Sequence, residues 1–342
     1  MCVNGYTLMK GGSPLATIKD VAKAAQVSVA TVSRVLNDTG YVHSDTKTRV
    51  TQAMQELNYF PNEVARSLFK RESRLIGLIL PDITNPFFPQ LARGVEDEIH
   101  AHGFRLLFGN SDEDREKEMA YLQTFKQNQV VGVIAVTNEP ESDIYNDDDL
   151  PVVFLDRTVP HAPSVFADAA AGGKMAAMEL IRRGSRQITL LKGPAHLQTA
   201  RQRFKGALDV LTDTGVDFHV MSNASFSFQE ARKSAKALFQ LYPETDGIIA
   251  SNDIVATAVI HEALRIGKAI PDDVQIIGFD DIPQSELLFP SLSTIRQPAY
   301  EMGKEAAQLL IKAIQKQPID QPVIQMPVSF IERETTRKVD SQ

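Results

Sequence analysis

The chain has 342 residues, a single cysteine and no tryptophan. One Cys, at position 2, excludes an intrachain disulfide framework and a cysteine metal site. The seven histidines show no metal-binding spacing, and the sequence has no nucleophile-elbow, Walker or dinucleotide-binding glycine motif. We therefore expect a protein that is not an enzyme and that carries no metal and no cofactor.

Long apolar runs are also absent. No stretch reaches the ~18 consecutive apolar residues that a membrane-spanning helix needs. The opening residues, MCVNGYTLMKGGSP, lack the apolar core of a secretory signal. We therefore expect no membrane association and a location in the cytoplasm, on the nucleoid if the protein binds DNA.

Charge is distributed unevenly along the chain. The formal net charge is -7, yet residues 1–74 contain ten Lys or Arg against six Asp or Glu, and the other 268 residues contain 26 against 37. A small basic head thus precedes a large acidic body. Because phosphate binding is local and charges are screened over ~8–10 Å at physiological salt, the acidic body does not prevent the head from binding DNA.

The basic head has the pattern of a helix-turn-helix unit. Apolar residues at helical spacing predict a first helix through Ile18 to Ala25, a second over Val29 to Asn37 with Ser28 as its N-cap, and a third from about Ser44 to Leu57. The inward positions of the second and third helices are expected to be Val32, Val35, Leu36, Val50, Ala53, Met54 and Leu57. A small helical bundle without a DNA role would show the same spacing.

The outward face of the second helix favours the DNA-binding interpretation. This face contains no acidic residue and is expected to comprise Val29, Ala30, Thr31, Ser33 and Arg34. An Arg can donate two hydrogen bonds to guanine in the major groove, whereas Val and Ala can contact a thymine methyl. Thr31 and Ser33 suit phosphates, which position a protein without specifying sequence.

From Leu75 onward, apolar runs alternate with amphipathic helical segments. The runs are LIGLILP, RLLFGNS, VVGVIAVT, VVFLDR, ITLLKG, GIIASND and VQIIGFDD. Apolar strands joined by helices predict parallel sheets covered on both faces. Because about 260 residues are many for one sheet, we expect two doubly wound α/β subdomains that face a cleft, with ligands at the carboxyl ends of the strands.

The predicted strand ends carry the groups that a sugar requires. Aromatic faces can cover the C–H faces of a sugar ring, and planar polar side chains can hold its hydroxyls. The candidate ligand-binding residues are Asn85, Phe87, Phe88, Asp156, Arg157, Arg203, Phe226, Asn252, Asp280 and Gln297, with Arg203 as the electrostatic complement of Asp280. Each residue alone could instead be a cap, a core aromatic or part of a structural ion pair.

The segments TIKDVAKAAQVSVATVSRVLN and YFPNEVARSLFKR resemble the lactose-repressor and purine-repressor family of bacterial transcription regulators, and the resemblance continues over nearly the whole chain. It implies base reading by Val29, Ala30 and Arg34, within a DNA-contacting set of Ser28, Val29, Ala30, Thr31, Ser33, Arg34, Asn37 and Leu68. It also implies a hinge helix over about Asn62 to Leu68, in which Leu68 enters the minor groove and kinks the duplex. The domain prediction is a non-family extension (1–14), a DNA-binding domain (15–60), a hinge and linker (61–74), an effector domain (75–338) and a tail (339–342).

The body fragments are similar to the periplasmic ribose-binding protein, whose sugar-contacting fragments correspond to NPFF, LDR, the ARQR stretch, ND, FD and the Gln before Pro. The resemblance implies a repressor of ribose-utilisation genes that D-ribose releases from operator DNA. Another pentose, a phosphorylated sugar, or a phosphorylated carrier protein acting as co-effector remains an alternative, and a transport sugar-binding protein is less favoured. The tail lacks the heptads of the lactose repressor, so we expect a homodimer.

The first 14 residues match nothing in the family. LATIKDV resembles the start of family members. The codons for Lys10-Gly11-Gly12, just upstream, could form an AAAGGAGG-like ribosome-binding site. We therefore expect natural translation to begin at Leu15, read from a TTG initiator; a genuine 14-residue tail is the alternative.

Overall fold

The computed structural model describes residues 16–37, 39–59, 73–137, 143–145, 150–157, 162–223 and 225–339. The chain forms two compact units, a head over Met1–Ser73 and a body over Arg74–Gln342. The predicted extension, the hinge helix and its Leu68 lie outside the described residues. Within the described ranges, no helix combines the length and apolar character needed to span a membrane.

The head contains three helices: α1 (Ile18–Ala24), α2 (Val29–Asn37) and α3 (Ser44–Glu56). The predicted start of α2 is confirmed, because the Ser28 Oγ accepts a hydrogen bond from the Thr31 backbone N–H at 3.1 Å. Such a cap satisfies one of the backbone donors that a helix N-terminus leaves unpaired. The tight turn before it passes through Gln26 in the left-handed region, with φ 54°.

The apolar positions of the three helices form one small core. Val21, Val32 and Val50 are fully buried at its centre. The prediction that Leu57 lies inside was wrong: its exposed fraction is 36%. The helix ends one residue earlier, so Leu57 is the C-cap of α3, and Tyr59 packs against the core instead.

The body contains two six-stranded sheets, and helices connect most of the successive strands. The strands are β1 (Leu75–Leu80), β2 (Arg105–Asn110), β3 (Val133–Ala135), β4 (Val152–Leu155), β5 (Ser164–Ala167), β6 (Gln187–Lys192), β7 (Asp217–Ser222), β8 (Gly247–Ile249), β9 (Gln275–Asp280), β10 (Ser293–Arg296), β11 (Val323–Met326) and β12 (Ser329–Ile331). The helices are α4 (Phe87–Ala101), α5 (Arg115–Gln127), α6 (Ala169–Arg182), α7 (Gln198–Thr214), α8 (Phe228–Leu241), α9 (Asp253–Arg265), α10 (Gln284–Leu287) and α11 (Ala299–Ile314), with a 3-10 turn at Asp143–Tyr145.

The first sheet has the order β11-β5-β4-β3-β1-β2 and the second the order β12-β10-β9-β8-β6-β7. The predicted pair of doubly wound subdomains is confirmed, and every strand pairing is parallel except that of β12 with β10. The chain leaves the carboxyl end of β11 and enters the second sheet opposite Arg296, at the carboxyl end of β10. Strand β12 therefore runs antiparallel to β10.

The chain passes between the two sheets three times. The crossings are at Asp168, between β5 and α6; at residues 297–298, between β10 and α11; and at residues 327–328, between β11 and β12. Val328 packs against the cores of both subdomains. Short crossings with few buried contacts are where two packed bodies can rotate relative to one another.

Helix packing in each subdomain depends on small residues. A Cβ built on Gly94 of α4 would lie 2.0 Å from the backbone oxygen of Tyr300 in α11, and one on Gly173 of α6 would lie 2.0 Å from the backbone oxygen of Arg203 in α7. Only glycine permits this approach of two backbones. The second contact also fixes the helix that carries Arg203.

Candidate functional site

The head presents the outward face of α2 to solvent. Val29, at 41% exposed, Ala30 and Arg34 are accessible, while Thr31 and Ser33 are half-buried. The hydroxyls of Ser28 and Thr31 lie 2.9 Å apart and share a hydrogen bond, so both groups serve the cap of α2. The predicted contacts of Asn37 and Leu68 lie outside the described side chains.

The body contains a cleft of about 430 Å³ at the carboxyl ends of strands from both sheets. Nine of the ten predicted ligand residues line it: Asn85, Phe87, Phe88, Asp156, Arg157, Arg203, Phe226, Asn252 and Asp280. Its volume is in the range of small-molecule sites. The tenth residue, Gln297, does not line the cleft.

The first subdomain contributes an aromatic wall. Phe87 and Phe88 begin α4, and their rings meet edge to face with centroids 5.4 Å apart and planes at 68°. Asn85, also buried, accepts a hydrogen bond from the Phe87 N–H through its Oδ1 at 3.1 Å, which fixes the turn between β1 and α4. The wall is therefore held by the local backbone.

Asp156 and Arg157 follow β4 directly and are both buried. Asp156 adopts the left-handed region, with φ 65°, which Asp tolerates better than most residues. Its Oδ2 lies 3.8 Å from the Arg157 Nε. Burial raises the pKa of Asp156, and the positive charges of Arg157 and Arg203 oppose this rise.

The second subdomain contributes a buried pair, Arg203 on α7 and Asp280 at the end of β9. The Arg203 Nη2 lies 3.3 Å from the Asp280 Oδ1. The Arg203 guanidinium also donates to the Ser251 backbone oxygen at 3.1 Å and stacks 3.9 Å above the Phe279 ring centroid. Arg203 is thus held on three sides.

The Gln297 side chain contacts Asp280 and is not part of the cleft lining. Its Nε2 donates to the Asp280 Oδ1 at 2.8 Å, from the second crossing between the sheets. Burial raises the pKa of Asp280 to about 7, and the positive charge of Arg203 opposes this rise. The Asp280 backbone has φ 117°, a strained conformation that aims the carboxylate at the cleft.

Asn252 and Asp253 begin α9. The Asn252 Oδ1 accepts from the Val255 N–H at 2.9 Å, which leaves its amide nitrogen available to the cleft. The fully buried Asp253 accepts hydrogen bonds from the Ile282 N–H at 2.9 Å and from the Ser285 hydroxyl at 2.7 Å. Asp253 thereby fixes the turn that follows Asp280.

The cleft carries buried polar atoms that lack a hydrogen-bond partner within the described parts of the chain. They are Asp156 Oδ1, Arg157 Nε and Nη1, Arg203 Nε and Asn252 Nδ2. Buried polar groups are ordinarily paired, because an unpaired one costs ~1–3 kcal/mol. Their convergence on one cleft indicates a ligand with several donors and acceptors.

Sequence reasoning missed two groups at the mouth of this cleft. Glu113 follows β2 and lines the cleft. Its Oε2 lies 3.1 Å from the Nε2 of His196, which belongs to the other subdomain. Glu113 could have been found by the same strand-end argument, because it stands three residues after Asn110; no sequence signal indicated His196.

Comparison with known proteins agrees with both units. Residues 17–62 match "Bacterial regulatory proteins, lacI family", and residues 73–334 match "Periplasmic binding proteins and sugar binding domain of LacI family". The chain is 65% identical over 326 residues to the ribose operon repressor of Bacillus subtilis (strain 168), covering 95% of this chain and all of that one.

Two solved structures are similar over the body or over nearly the full chain. One is the Lac repressor dimer bound to operator and the anti-inducer ONPF, with a TM-score of 0.84 and 25% identity over 94% of this chain and 99% of that one. The other is a LacI family regulator from Enterococcus faecium with bound ribose, with a TM-score of 0.70 and 30% identity over 78% of this chain and all of that one. The helix-turn-helix head, the two-sheet body and these matches together establish that the chain belongs to the LacI family of bacterial regulatory proteins.

Proposed function

We propose that this protein is a transcriptional repressor whose head binds operator DNA and whose cleft binds D-ribose, which releases the repressor from the operator. The observation that carries the effector assignment is the set of unpaired buried polar atoms in a cleft that also has an aromatic wall. A furanose or pyranose ring has apolar C–H faces and a rim of hydroxyls, so it satisfies both parts of this surface. The ribose bound to the Enterococcus faecium relative supports the same assignment.

The two subdomains divide the contacts to the sugar. Asn85, Phe87, Phe88, Asp156 and Arg157 come from the first subdomain; Arg203, Phe226, Asn252 and Asp280 come from the second. Gln297 orients Asp280 instead of contacting the sugar. Because one ligand touches both subdomains, it stabilises one relative arrangement of them. Ribose can then shift the balance between DNA-binding and released states by the difference in its affinity for each.

In the head, we assign base reading to Arg34, Val29 and Ala30, the exposed residues of α2. Ser28 and Thr31 hold the start of this helix; together with Ser33 they contact phosphates, and Asn37 and Leu68 complete the interface. The resemblance to the Lac repressor bound to operator supports this division of roles. Because its proposed ligand is DNA, we propose that the protein acts in the cytoplasm, on the nucleoid.

A second copy of the chain completes the repressor. Leu287 and Phe289, in the segment after β9, are 84% and 88% exposed, and large apolar side chains at that exposure are typical of interaction surfaces. The Lac repressor relative is a dimer. Replacing both residues by Glu should shift sedimentation to the monomer and weaken operator binding, because two half-sites would no longer be bound together; a dimeric double variant would exclude this surface.

The decisive test of the function uses the purified full-length protein. An operator is first selected by the protein from a pool of random DNA, and its binding is then titrated with D-ribose, D-xylose, L-arabinose and D-ribose 5-phosphate. We expect one sequence class to be enriched and D-ribose to weaken its binding at least tenfold. Failure to enrich any sequence would refute the DNA-binding assignment, and an operator affinity unaffected by ribose would refute the effector assignment.

A further inference from the structure

Glu113 contacts both sides of the cleft mouth, through a hydrogen bond to His196 and an ion pair with Arg157. It lies in the segment between β2 and α5, in the first subdomain. Its Oε2 meets the His196 Nε2 of the second subdomain at 3.1 Å, and its Oε1 meets the Arg157 Nη2 at 3.4 Å. His196 is 57% exposed, whereas Arg157 is buried. The Glu113 carboxylate therefore connects the exposed His196 with the buried Arg157.

The backbone around Glu113 is held in an uncommon conformation. Asp112 and Glu113 both adopt the left-handed region, with φ 53° and 59°, which is strained for a non-glycine residue. Side-chain contacts support this arrangement: Asp112 pairs with Lys117, and Asp114 caps α5 by accepting from the Glu116 N–H at 2.8 Å. The strain directs the Glu113 carboxylate across the cleft mouth.

The charge balance of the cleft is acidic. Five carboxylates line it, namely Asp82, Asp112, Glu113, Asp156 and Asp280, against two cations, Arg157 and Arg203. Arg203 is already opposite Asp280, and Arg157 lies between Asp156 and Glu113. Among the described residues of the lining, each cation lies beside a carboxyl group, and the negative charge of Glu113 beside Arg157 disfavours a phosphate dianion at that guanidinium.

We propose that Glu113 is a latch that determines both the closure and the selectivity of the effector cleft. Its bond to His196 holds the two subdomains together over the bound ligand. Its negative charge lies beside the Arg157 guanidinium and so favours an uncharged polyol over the phosphorylated form of the same sugar. This inference rests on the proposed function, because it takes the cleft to be the effector site.

The two roles of Glu113 can be separated by substitution. Glu113→Asp keeps the charge but withdraws the carboxylate by one methylene, so it should lose the bond to His196 and keep the selectivity. Glu113→Gln keeps the length but removes the charge, so it should lose the selectivity. His196→Gln removes only the latch partner. His102→Gln is the matched control, since His102 lies 3.7 Å from Glu98 on the outside of the first subdomain.

The experiment measures D-ribose and D-ribose 5-phosphate binding to each full-length variant by calorimetry, with competition against ribose where the phosphate binds weakly. His196→Gln and Glu113→Asp should raise the Kd for ribose roughly two- to fivefold, the range for a partly exposed ion pair. Neither should change the ratio of the two Kd values. Glu113→Gln should lower the preference for ribose over its phosphate on the order of tenfold or more, because one negative charge leaves the cleft.

A double-mutant cycle tests the contact itself. The Glu113→Asp/His196→Gln protein should bind ribose no more weakly than Glu113→Asp alone, because both changes remove the same bond. Additive losses would overturn the latch, and an unchanged preference in Glu113→Gln would overturn the selectivity role. A shift of similar size in His102→Gln would overturn both roles. If the unsubstituted protein binds no pentose, the proposed function itself fails, and the latch fails with it.

Discussion

Replacing Asp280 by Ala should produce a repressor that binds operator DNA and no longer responds to ribose. Asp280 ends β9 with its carboxylate buried at the cleft, where Arg203 and Gln297 hold one of its oxygens. The residues proposed to read the operator belong to the other compact unit of the chain. The substitution therefore removes an effector contact without altering the surface of α2.

The expected loss follows from the number of hydrogen bonds that the carboxylate can accept. Two sugar hydroxyls bound to a charged acceptor are worth about 1.5–3 kcal/mol each, or about 3–6 kcal/mol together. At about 1.4 kcal/mol per decade, the Kd for ribose rises about 10²–10⁴-fold. Asp280→Asn, which keeps the volume and one acceptor, should lose less.

The assay measures ribose binding by calorimetry and operator binding by fluorescence anisotropy on one preparation, together with its thermal unfolding midpoint. Calorimetry is preferred for the sugar because the chain has no Trp to report binding by intrinsic fluorescence. We expect operator affinity to persist with and without ribose. A ribose Kd within threefold of the unsubstituted protein, a change worth only about 0.6 kcal/mol, would remove Asp280 from the site. Joint loss of operator binding and thermal stability would assign Asp280 to the structure of its loop.

Three further predictions concern the pKa of Asp280, the head and the helix packing. Since burial raises the pKa of Asp280 to about 7, the ligand-free folded protein binds a proton that the unfolded chain releases above about pH 4. This stabilisation is complete below about pH 4 and is lost as pH rises to about 7. The free energy of unfolding of Asp280→Asn should therefore decline less steeply between pH 5 and 7.5 than that of the unsubstituted protein. Equal declines of the two proteins in urea titrations would contradict this. Arg34→Ala should cost about 1–3 kcal/mol on operator and less on random DNA, whereas equal losses in anisotropy titrations would mean that Arg34 contacts only phosphate. Gly94→Ala should lower the free energy of unfolding by about 1–3 kcal/mol, because its Cβ would meet the Tyr300 backbone oxygen at 2.0 Å; an unchanged urea midpoint would show that α4 and α11 can separate freely.

The sequence by itself determined the elements and most of the cleft. Helical spacing and the Ser28 cap defined α2, and continuous apolar runs defined the central strands, because both signals reflect burial along a single element. Two other strands gave no such signal: β7 is an exposed edge strand with polar residues, and the short β10 consists of the residues STIR. Polar and aromatic residues in the segments that follow the strands located nine cleft residues, since parallel strands end at a common edge.

Only the tertiary structure decided which of these groups meet and in which role. Gln297 was predicted to contact ligand. In the structure it lies in the crossing between β10 and α11, donates to the Asp280 carboxylate and is not part of the cleft lining. Glu113 and His196 are 83 residues apart in the chain, and no local pattern predicts their pairing. The raised pKa of Asp280 likewise depends on burial and on charged neighbours that come from other parts of the chain, such as Arg203 and Asp253. Periodicity in a sequence reports which side of an element is buried, whereas charge pairing and desolvation depend on which elements pack against one another.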